Sequence, residues 1–413
     1  MRRAIELADR ARGNTSPNPL VGAVIVRNDH IVAEGWHKQA GQAHAEVDAI
    51  NDAARQRQPT KGATLYVSLE PCSHHGKTPP CTDAILAAEF SHVVFATSDT
   101  NTQASGGAEV LSSAGVDVTA GVCEKLARHT NRIFFHYQQL KTPFVIAKFA
   151  SSLDGRTATR TGNSQWITGP AARQRGHVAR QAVDAIVVGA QTAINDQPHL
   201  TVRNPGAYQH TQAAHPLRIV LDSRGRVPVD NAVFDSALPA NTLVITTNAM
   251  PEDHAKKLQQ NAVEVLRLPC SVNTKQPDIK VLLKELGNRN IQSLLVEGGH
   301  SVLGSFFDCA AVDEVWAFLA PMFIGGTNAM PSIGGLGIDE LNKAALLRNI
   351  SVESLNGDLL IKGRVEYQDT ETINRDAAEQ IQHGQSEPVF ISQVNKDRHF
   401  QDEFNPLNNS EVS

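Results

Sequence analysis

The chain has 413 residues, enough for two or three domains at roughly 150 residues each. Its 41% hydrophobic and 20% charged residues are typical of a globular protein. The net charge is −5, and the segment from Tyr367 onward accounts for it with nine acidic and three basic residues. The rest of the chain is nearly neutral, so no excess of basic residues is available to bind a nucleic-acid backbone.

No apolar run approaches the ~20 residues of a membrane span, and the chain start lacks the apolar core of a signal peptide. Cys123, Cys270 and Cys309 stand singly, which predicts reduced thiols and no disulfide framework. These features predict a cytoplasmic protein without membrane contact.

The first part of the chain alternates short strands and helices. An amphipathic helix around residue 5 is followed by a buried strand at 21–26, a turn at 28–29 and a partner strand at 31–35. Further predicted elements are a helix opened by His44, a strand at 64–69, a helix opened by Cys81 and a strand at 93–96. This order predicts a layered α/β domain over residues 1–142.

A new apolar strand at 144–149 marks a second domain, predicted over residues 143–366. It alternates helical segments with strands at 185–188, 217–221, 243–246 and 293–296, so it is also α/β. Residues 367–413 are polar and acidic, and we expect a disordered tail or an interface appendage.

The most informative motif combines His44, Glu46, Cys72 and Cys81. One imidazole and two thiolates suit Zn²⁺, and a catalytic zinc site keeps its fourth position open for water. Glu46 is left as a proton shuttle. The pattern H-x-E followed by P-C-x-x-C is the signature of zinc deaminases, but here eight residues instead of two separate Cys72 from Cys81.

That longer spacing resembles the bifunctional deaminase/reductase family of bacterial riboflavin biosynthesis. The resemblance rests on motifs that occur in one order along residues 1–366: Pro17-Asn18-Pro19-Leu20-Val21-Gly22, His44-Ala45-Glu46-Val47, 69–81, 150–156, 164–168, 196–203 and 296–299. It implies a cytidine-deaminase-like three-layer α/β/α domain that binds one Zn²⁺, and a dihydrofolate-reductase-like α/β domain that binds NADPH. One departure is Asp99-Thr100-Asn101-Thr102, where relatives show Asp-Pro-Asn-Pro.

The resemblance also implies the site residues. Metal ligands are His44, Cys72 and Cys81, and Glu46 is catalytic. The residues implied to contact the nicotinamide cofactor are Ala150, Trp166, Thr192, Asp196, Ser223, Gly299, His300, Ser301, Val302, Leu303, Gly304 and Ser305. Those implied to bind the phosphoribosyl pyrimidine substrate are Asn18, His74, Lys77, Thr78, Ser164, Arg180, Leu200, Arg203 and Glu297. Lys148 is a further candidate for orienting the sugar.

Two other functions remain open on the residues alone. One is a nucleoside or nucleic-acid deaminase with an accessory domain, which the neutral body disfavours. The other is a zinc-stabilised NADPH-binding regulator without turnover, which Glu46 disfavours. From the family we expect a homodimer that binds a small-molecule substrate and no nucleic acid.

Overall fold

A tight hairpin opens the first sheet. Asn28 and Asp29 both adopt positive φ, 48° and 61°, as a two-residue turn between twisted strands requires. The computed structural model describes residues 1–74, 79–100, 106–202, 215–271 and 274–368. The strands of the first sheet are β1 (Gly22–Arg27), β2 (His30–Trp36), β3 (Thr64–Val67), β4 (His92–Phe95) and β5 (Asp117–Thr119).

This sheet has the order β2-β1-β3-β4-β5, with β3, β4 and β5 parallel and β1 antiparallel to both of its neighbours. The helices are α1 (Arg2–Asp9), α2 (Ala45–Arg55), α3 (Cys81–Ala87), α4 (Gly107–Ser113), α5 (Glu124–Thr130) and α6 (Arg132–Leu140). Ala23 and Ile25 of β1 pack with α2, α3 and α4, whereas Val24 packs with α1 on the opposite face. The predicted α/β/α layering is confirmed.

The second sheet has nine strands. They are β6 (Phe144–Ser152), β8 (Ala185–Gly189), β9 (Leu217–Leu221), β10 (Thr242–Thr246), β11 (Glu264–Arg267), β12 (Ser293–Val296), β13 (Glu314–Ala320), β15 (Leu346–Leu355) and β16 (Asp358–Glu366); a separate pair is formed by β7 (Arg156–Ala158) and β14 (Met330–Pro331). All five residues of β8 are buried, as expected for a parallel strand covered on both faces.

The order of this sheet is β11-β10-β9-β8-β12-β6-β13-β16-β15, in which β16 pairs antiparallel with both β13 and β15 and the other neighbouring strands are parallel. Its helices are α7 (Pro170–Gln181), α8 (Ala190–Asp196), α9 (Glu252–Gln260), α10 (Ile279–Asn288) and α11 (His300–Asp308). α7, α8 and α9 pack on one face and α10 and α11 on the other. The α/β class predicted for this half is confirmed, although β11 and the three strands at its antiparallel end were not predicted.

Helix α6 joins the two sheets and packs tightly against the second. The Tyr137 hydroxyl donates to the carbonyl of Gly287 at 2.9 Å. Arg132 donates to both carboxylate oxygens of Glu314 at 2.6 and 3.0 Å. A side chain at Gly287 would overlap the carbonyl of Lys141, so glycine is required at this close approach. The predicted boundary at residue 142 falls between α6 and β6.

The compact unit that contains both sheets ends at Tyr367. Tyr367 is the first residue after β16, and its hydroxyl accepts a hydrogen bond from the backbone amide of Val312 at 3.0 Å. The tail was predicted over residues 367–413, and its residues 369–413 lie outside the described residues. In the part of the chain that is described, no helix combines the length and apolar character needed to cross a membrane.

Candidate active sites

Three metal-ligand side chains meet where two helices of the first domain begin. His44 precedes the first residue of α2, Cys81 is the first residue of α3, and Cys72 follows β3. Their ligand atoms lie within 4.8 Å of one another. His44 Nδ1 is 3.2 Å from Cys81 Sγ and 3.6 Å from Cys72 Sγ, so Nδ1 is the nitrogen that faces the metal position.

The low pKa of Cys72 favours a thiolate, which is the form that binds a metal cation. Hydrogen bonds from the Cys81 thiol and from His44 lower the pKa of Cys72 to about 4, while the adjacent Cys72 thiolate raises the pKa of Cys81. The Cys81 amide also donates to Cys72 Sγ at 3.4 Å. A divalent cation that binds both sulfur atoms would favour their deprotonated forms. The donor set and its spacing fit zinc.

Glu46 is the second residue of α2, two positions after His44, and is only 3% exposed. Burial raises the pKa of its carboxyl, and the nearby Cys72 thiolate raises the pKa further. A carboxyl group with a raised pKa can both accept and release a proton near neutral pH. The environment of Glu46 therefore suits a proton shuttle.

The cluster opens into a cavity of about 970 Å³. Its inner wall contains Asn18, His44, Glu46, Cys72 and His74. Its outer wall comes from α6 and from the second domain, and consists of Phe134, Tyr137, Gln138, Lys141, Asn290 and Gln292. Both halves of the chain therefore line this cavity.

The structure brings part of the predicted phosphate loop to this cavity. His74 lines it, and the buried Nδ1 of His74 finds no hydrogen-bond partner among the described residues. An unpaired buried nitrogen costs free energy unless a ligand or water satisfies it. Lys77 and Thr78 lie outside the described residues.

Two residues that sequence reasoning missed support this site. His37 is 3% exposed and lies edge-on to His44 with ring centroids 5.4 Å apart. The Glu70 carboxylate accepts hydrogen bonds from the amides of Asp99, Gly106 and Ala108 at 3.2–3.3 Å, and both Glu70 and Asp99 line the cavity. The position of Glu70 directly before the Pro71-Cys72 motif could have indicated its role from sequence. His37 belongs to no motif, so the sequence gives no comparable indication for it.

The predicted residues of the second domain gather at one edge of its sheet. Glu297 follows β12, and its amide donates to the carbonyl of Val187 in β8 at 3.0 Å. Ser223 follows β9, and Thr192 lies on the helix that follows β8. Because these strands are parallel, their carboxyl ends meet at the edge where open α/β sheets bind ligands.

A buried charge cluster lies at this edge. Arg180 on α7 donates to both carboxylate oxygens of Glu297 at 3.0 and 2.6 Å. Burial alone would raise the pKa of Glu297, but the charges of Arg180 and Lys148 outweigh it and hold that pKa at about 2. Burial lowers the pKa of Lys148, with the opposing charge of Glu297 too weak to reverse the shift.

The predicted glycine-rich turn before α11 has no side chains of its own over its backbone, so a ligand can come close to it. Gly299 adopts φ +54° immediately before α11, and a side chain on it would lie 3.1 Å from Thr192 Oγ1. A side chain on Gly298 would overlap Val188, so the turn lies directly against β8. The N-terminal amides of α11, from His300 to Val302, lack helical acceptors and can face an anion.

The other predicted residues differ in their surroundings. Trp166 is 67% exposed with the Arg173 guanidinium 4.5 Å from its ring, and Ser164 is partly exposed on the same segment. Ala150 lies on β6, Asp196 ends α8, and Ser223 donates to Gln276. Leu200 is 1% exposed within the core, so its side chain does not face a ligand. Arg203 lies outside the described residues.

Two family models divide the chain in the same order. Residues 1–97 match the cytidine and deoxycytidylate deaminase zinc-binding region, and residues 143–361 match the RibD C-terminal domain. Fold and site thus define a zinc-dependent deaminase joined to a reductase. Riboflavin biosynthesis protein RibD of Actinobacillus pleuropneumoniae is 41% identical over 87% of this chain and 93% of the relative, and that of Aquifex aeolicus is 42% identical over 87% and 96%. The chain belongs to the RibD family of bifunctional deaminase/reductases of riboflavin biosynthesis.

Solved structures agree. Acinetobacter baumannii RibD, form 1, is 35% identical with a TM-score of 0.78 and covers 88% of this chain and 97% of that one. A Thermotoga maritima diaminohydroxyphosphoribosylaminopyrimidine deaminase/5-amino-6-(5-phosphoribosylamino)uracil reductase is 35% identical with a TM-score of 0.77, over 89% and 97%. The recognition of the family and its two activities from sequence motifs is confirmed.

Proposed function

We propose that this chain catalyses two successive steps of riboflavin biosynthesis. Its first domain, residues 1–142, removes an amino group hydrolytically from 2,5-diamino-6-(5-phosphoribosylamino)pyrimidin-4(3H)-one. Its second domain, residues 143–366, then reduces the ribosyl group to ribityl with NADPH. The observation that carries the proposal is the cluster of His44, Cys72 and Cys81 beside buried Glu46, in a chain whose second half matches the RibD reductase. The activity for which the Thermotoga maritima relative is named supports this choice of substrate.

In the deaminase site the chain provides orientation and proton transfer. Zinc, when bound by the His44, Cys72 and Cys81 side chains, supplies a Lewis acid that activates water at neutral pH. Glu46 would accept a proton from the attacking water and deliver it to the amino group, which then leaves as ammonia. The Asn18 amide reads the edge of the pyrimidine.

The phosphate of the same substrate is held by the loop after Cys72. His74, Lys77 and Thr78 offer a compact cation and directed hydrogen bonds, which suit phosphate oxygens. The unsatisfied Nδ1 of His74 supports a polar ligand in this part of the cavity.

In the reductase site the chain mainly positions two ligands. NADPH, when bound, supplies the hydride. The residues proposed to contact it are Ala150, Trp166, Thr192, Asp196, Ser223 and 299–305. Those proposed to hold the ribosyl substrate are Ser164, Arg180, Leu200, Arg203 and Glu297, with Leu200 contributing backbone contacts because its side chain is buried. Lys148 is held beside Glu297 and orients the sugar.

The functional unit is proposed to be a cytoplasmic homodimer. β15 is an edge strand, and its Ile350 and Val352 are 57% and 61% exposed in a single chain. Leu336 and Leu341 nearby along the chain are 76% and 89% exposed. Exposed apolar edges of this kind are normally covered by a partner. All five cysteines are without disulfides, which suits a reducing compartment.

A substrate comparison tests the proposed deamination. The purified full chain is incubated with the diaminopyrimidinone, with cytidine or with tRNA, and ammonia release is followed. Release from the diaminopyrimidinone alone is expected. Release from cytidine or tRNA, with none from the diaminopyrimidinone, would overturn the proposal in favour of a nucleoside or nucleic-acid deaminase.

A further inference from the structure

A residue of the reductase half touches the loop that carries Asn18. Gln292 stands directly before β12 and is 3% exposed. Its Nε2 donates to the carbonyl oxygen of Pro17 at 2.8 Å, across 275 positions of sequence. Gln292 also lines the deaminase cavity. The peptide unit next to Asn18 is therefore held from the other domain.

Gln292 is itself fixed within the reductase sheet. The backbone N–H of Gln292 donates to Asp184 Oδ2 at 2.9 Å, and the backbone carbonyl of Gln292 accepts from the backbone N–H of Phe144 at 2.8 Å. The same Asp184 oxygen accepts from the amide and hydroxyl of Ser293, both at 3.0 Å. The backbone of Gln292 is therefore held at two points, and its buried side chain has few conformations to lose when it forms the hydrogen bond to Pro17.

Two hydrogen bonds through His37 link the side-chain amide of Asn18 to the residue that precedes His44. His37 Nδ1 lies 3.0 Å from the carbonyl oxygen of Ala43, so Nδ1 carries the proton and donates. Its Nε2 must then accept, which makes the Asn18 Nδ2 group at 3.1 Å the donor. Ala43 directly precedes His44. Among the described residues, no side-chain hydrogen bond other than that to His37 involves the Asn18 amide, which lines the cavity.

We propose that Gln292 is a positioning residue for the deaminase reaction, which acts by fixing the Pro17 peptide and with it the direction of the Asn18 amide. The inference rests on the proposed deaminase function and on Asn18 as a substrate contact. The reductase half thus completes the deaminase site. Displacement of a positioning group by a fraction of an ångström is sufficient to slow a reaction measurably.

Gln292→Met tests this role in the zinc-loaded full chain, because it keeps the length of the side chain and removes the donor. The matched control is Gln260→Met on the exposed surface of α9. We expect kcat/KM for ammonia release to fall about tenfold, while zinc content and reduction of the pre-deaminated substrate stay within about twofold of wild type. An unchanged deaminase, or an equal loss in both activities, would overturn the proposal.

A double-mutant cycle with Asn18→Ala separates positioning from general packing. If Gln292 acts through Asn18, Gln292→Met should lower deamination less than about twofold in the Asn18→Ala background. Full multiplication of the two losses would contradict the proposal. Gln292→Asn, which keeps an amide that is too short to reach Pro17, should behave like Gln292→Met and serves in its place if that variant does not fold. If wild type and Gln260→Met release no ammonia, the proposed deaminase function itself fails.

Discussion

Arg180 and Glu297 form a two-point ion pair within the second domain, although 117 positions separate them in sequence. Their side chains are 16% and 6% exposed. Breaking one partner of a buried pair leaves the other charge uncompensated. The pair therefore links this edge of the second sheet to the stability of the fold.

The depressed pKa of Glu297 predicts how stability depends on pH. Its pKa falls from 4.5 to about 2 on folding, so the stabilisation is complete above pH 4.5 and is lost as pH falls towards 2. At neutral pH it amounts to roughly 3 kcal/mol. Glu297→Gln should lower the free energy of unfolding by about this amount at pH 7 and flatten its decline between pH 4.5 and 2. Urea unfolding at several pH values measures both effects.

Glu252→Gln on α9 is the control for that experiment, because the Glu252 side chain, which pairs with Arg267, is 66% exposed. Exposed pairs contribute little. A Glu297→Gln profile that parallels wild type throughout this pH range would show that the ion pair does not stabilise the fold.

Glu46→Gln separates metal binding from proton transfer. The amide keeps the shape of the side chain but cannot shuttle a proton, and Glu46 is outside the ligand cluster. Zinc should stay bound while deamination falls about 10²–10⁴-fold. Metal analysis and ammonia release on one sample check this prediction. If zinc is lost together with activity, Glu46 has been assigned the wrong role.

Cys72→Ser should disable only the first half of the chain. A hydroxyl is a poor replacement for thiolate, so zinc and deamination should both be lost. The reductase sheet has its own hydrophobic clusters, and NADPH oxidation with pre-deaminated substrate should persist. Cys270→Ser, at an exposed thiol, is the control. Loss of both activities in a folded Cys72→Ser protein would refute separate sites.

Val352→Glu tests the proposed dimer surface. It places a charge on the exposed face of edge strand β15. Light scattering should show a shift from dimer to monomer, since a buried unpaired charge is costly. Ser351→Glu puts the same charge on the opposite face of the strand and should leave the dimer intact. An unaltered dimer in Val352→Glu would place the interface elsewhere.

The zinc centre could be predicted because its information is local. His44 and Glu46 are two positions apart, and Cys72 and Cys81 stand at ends of elements that apolar patterns already define. The contact of Gln292 with Pro17 could not be predicted, because it depends on how two domains pack. Leu200 shows the opposite limit: the motif that contains it was recognised, but only the structure shows that its side chain belongs to the core.

The same limit applies to the end of the second sheet. Strands β13, β16 and β15 pair antiparallel over long registers, and β15 is exposed along most of its length. Its sequence therefore lacks the strong apolar signal of a buried strand such as β8. Pairing with β16 stabilises it, and pairing is not a local property of sequence.

The most direct test of the two-step account is the identity of the products that the full chain forms from the diaminopyrimidinone with and without NADPH. Mass spectrometry should find the deaminated ribosyl compound when NADPH is absent and the deaminated ribityl compound when it is present. After zinc is removed by a chelator, neither product should form from this substrate. A ribityl product that keeps its amino group, or deamination that continues without zinc, would contradict the account.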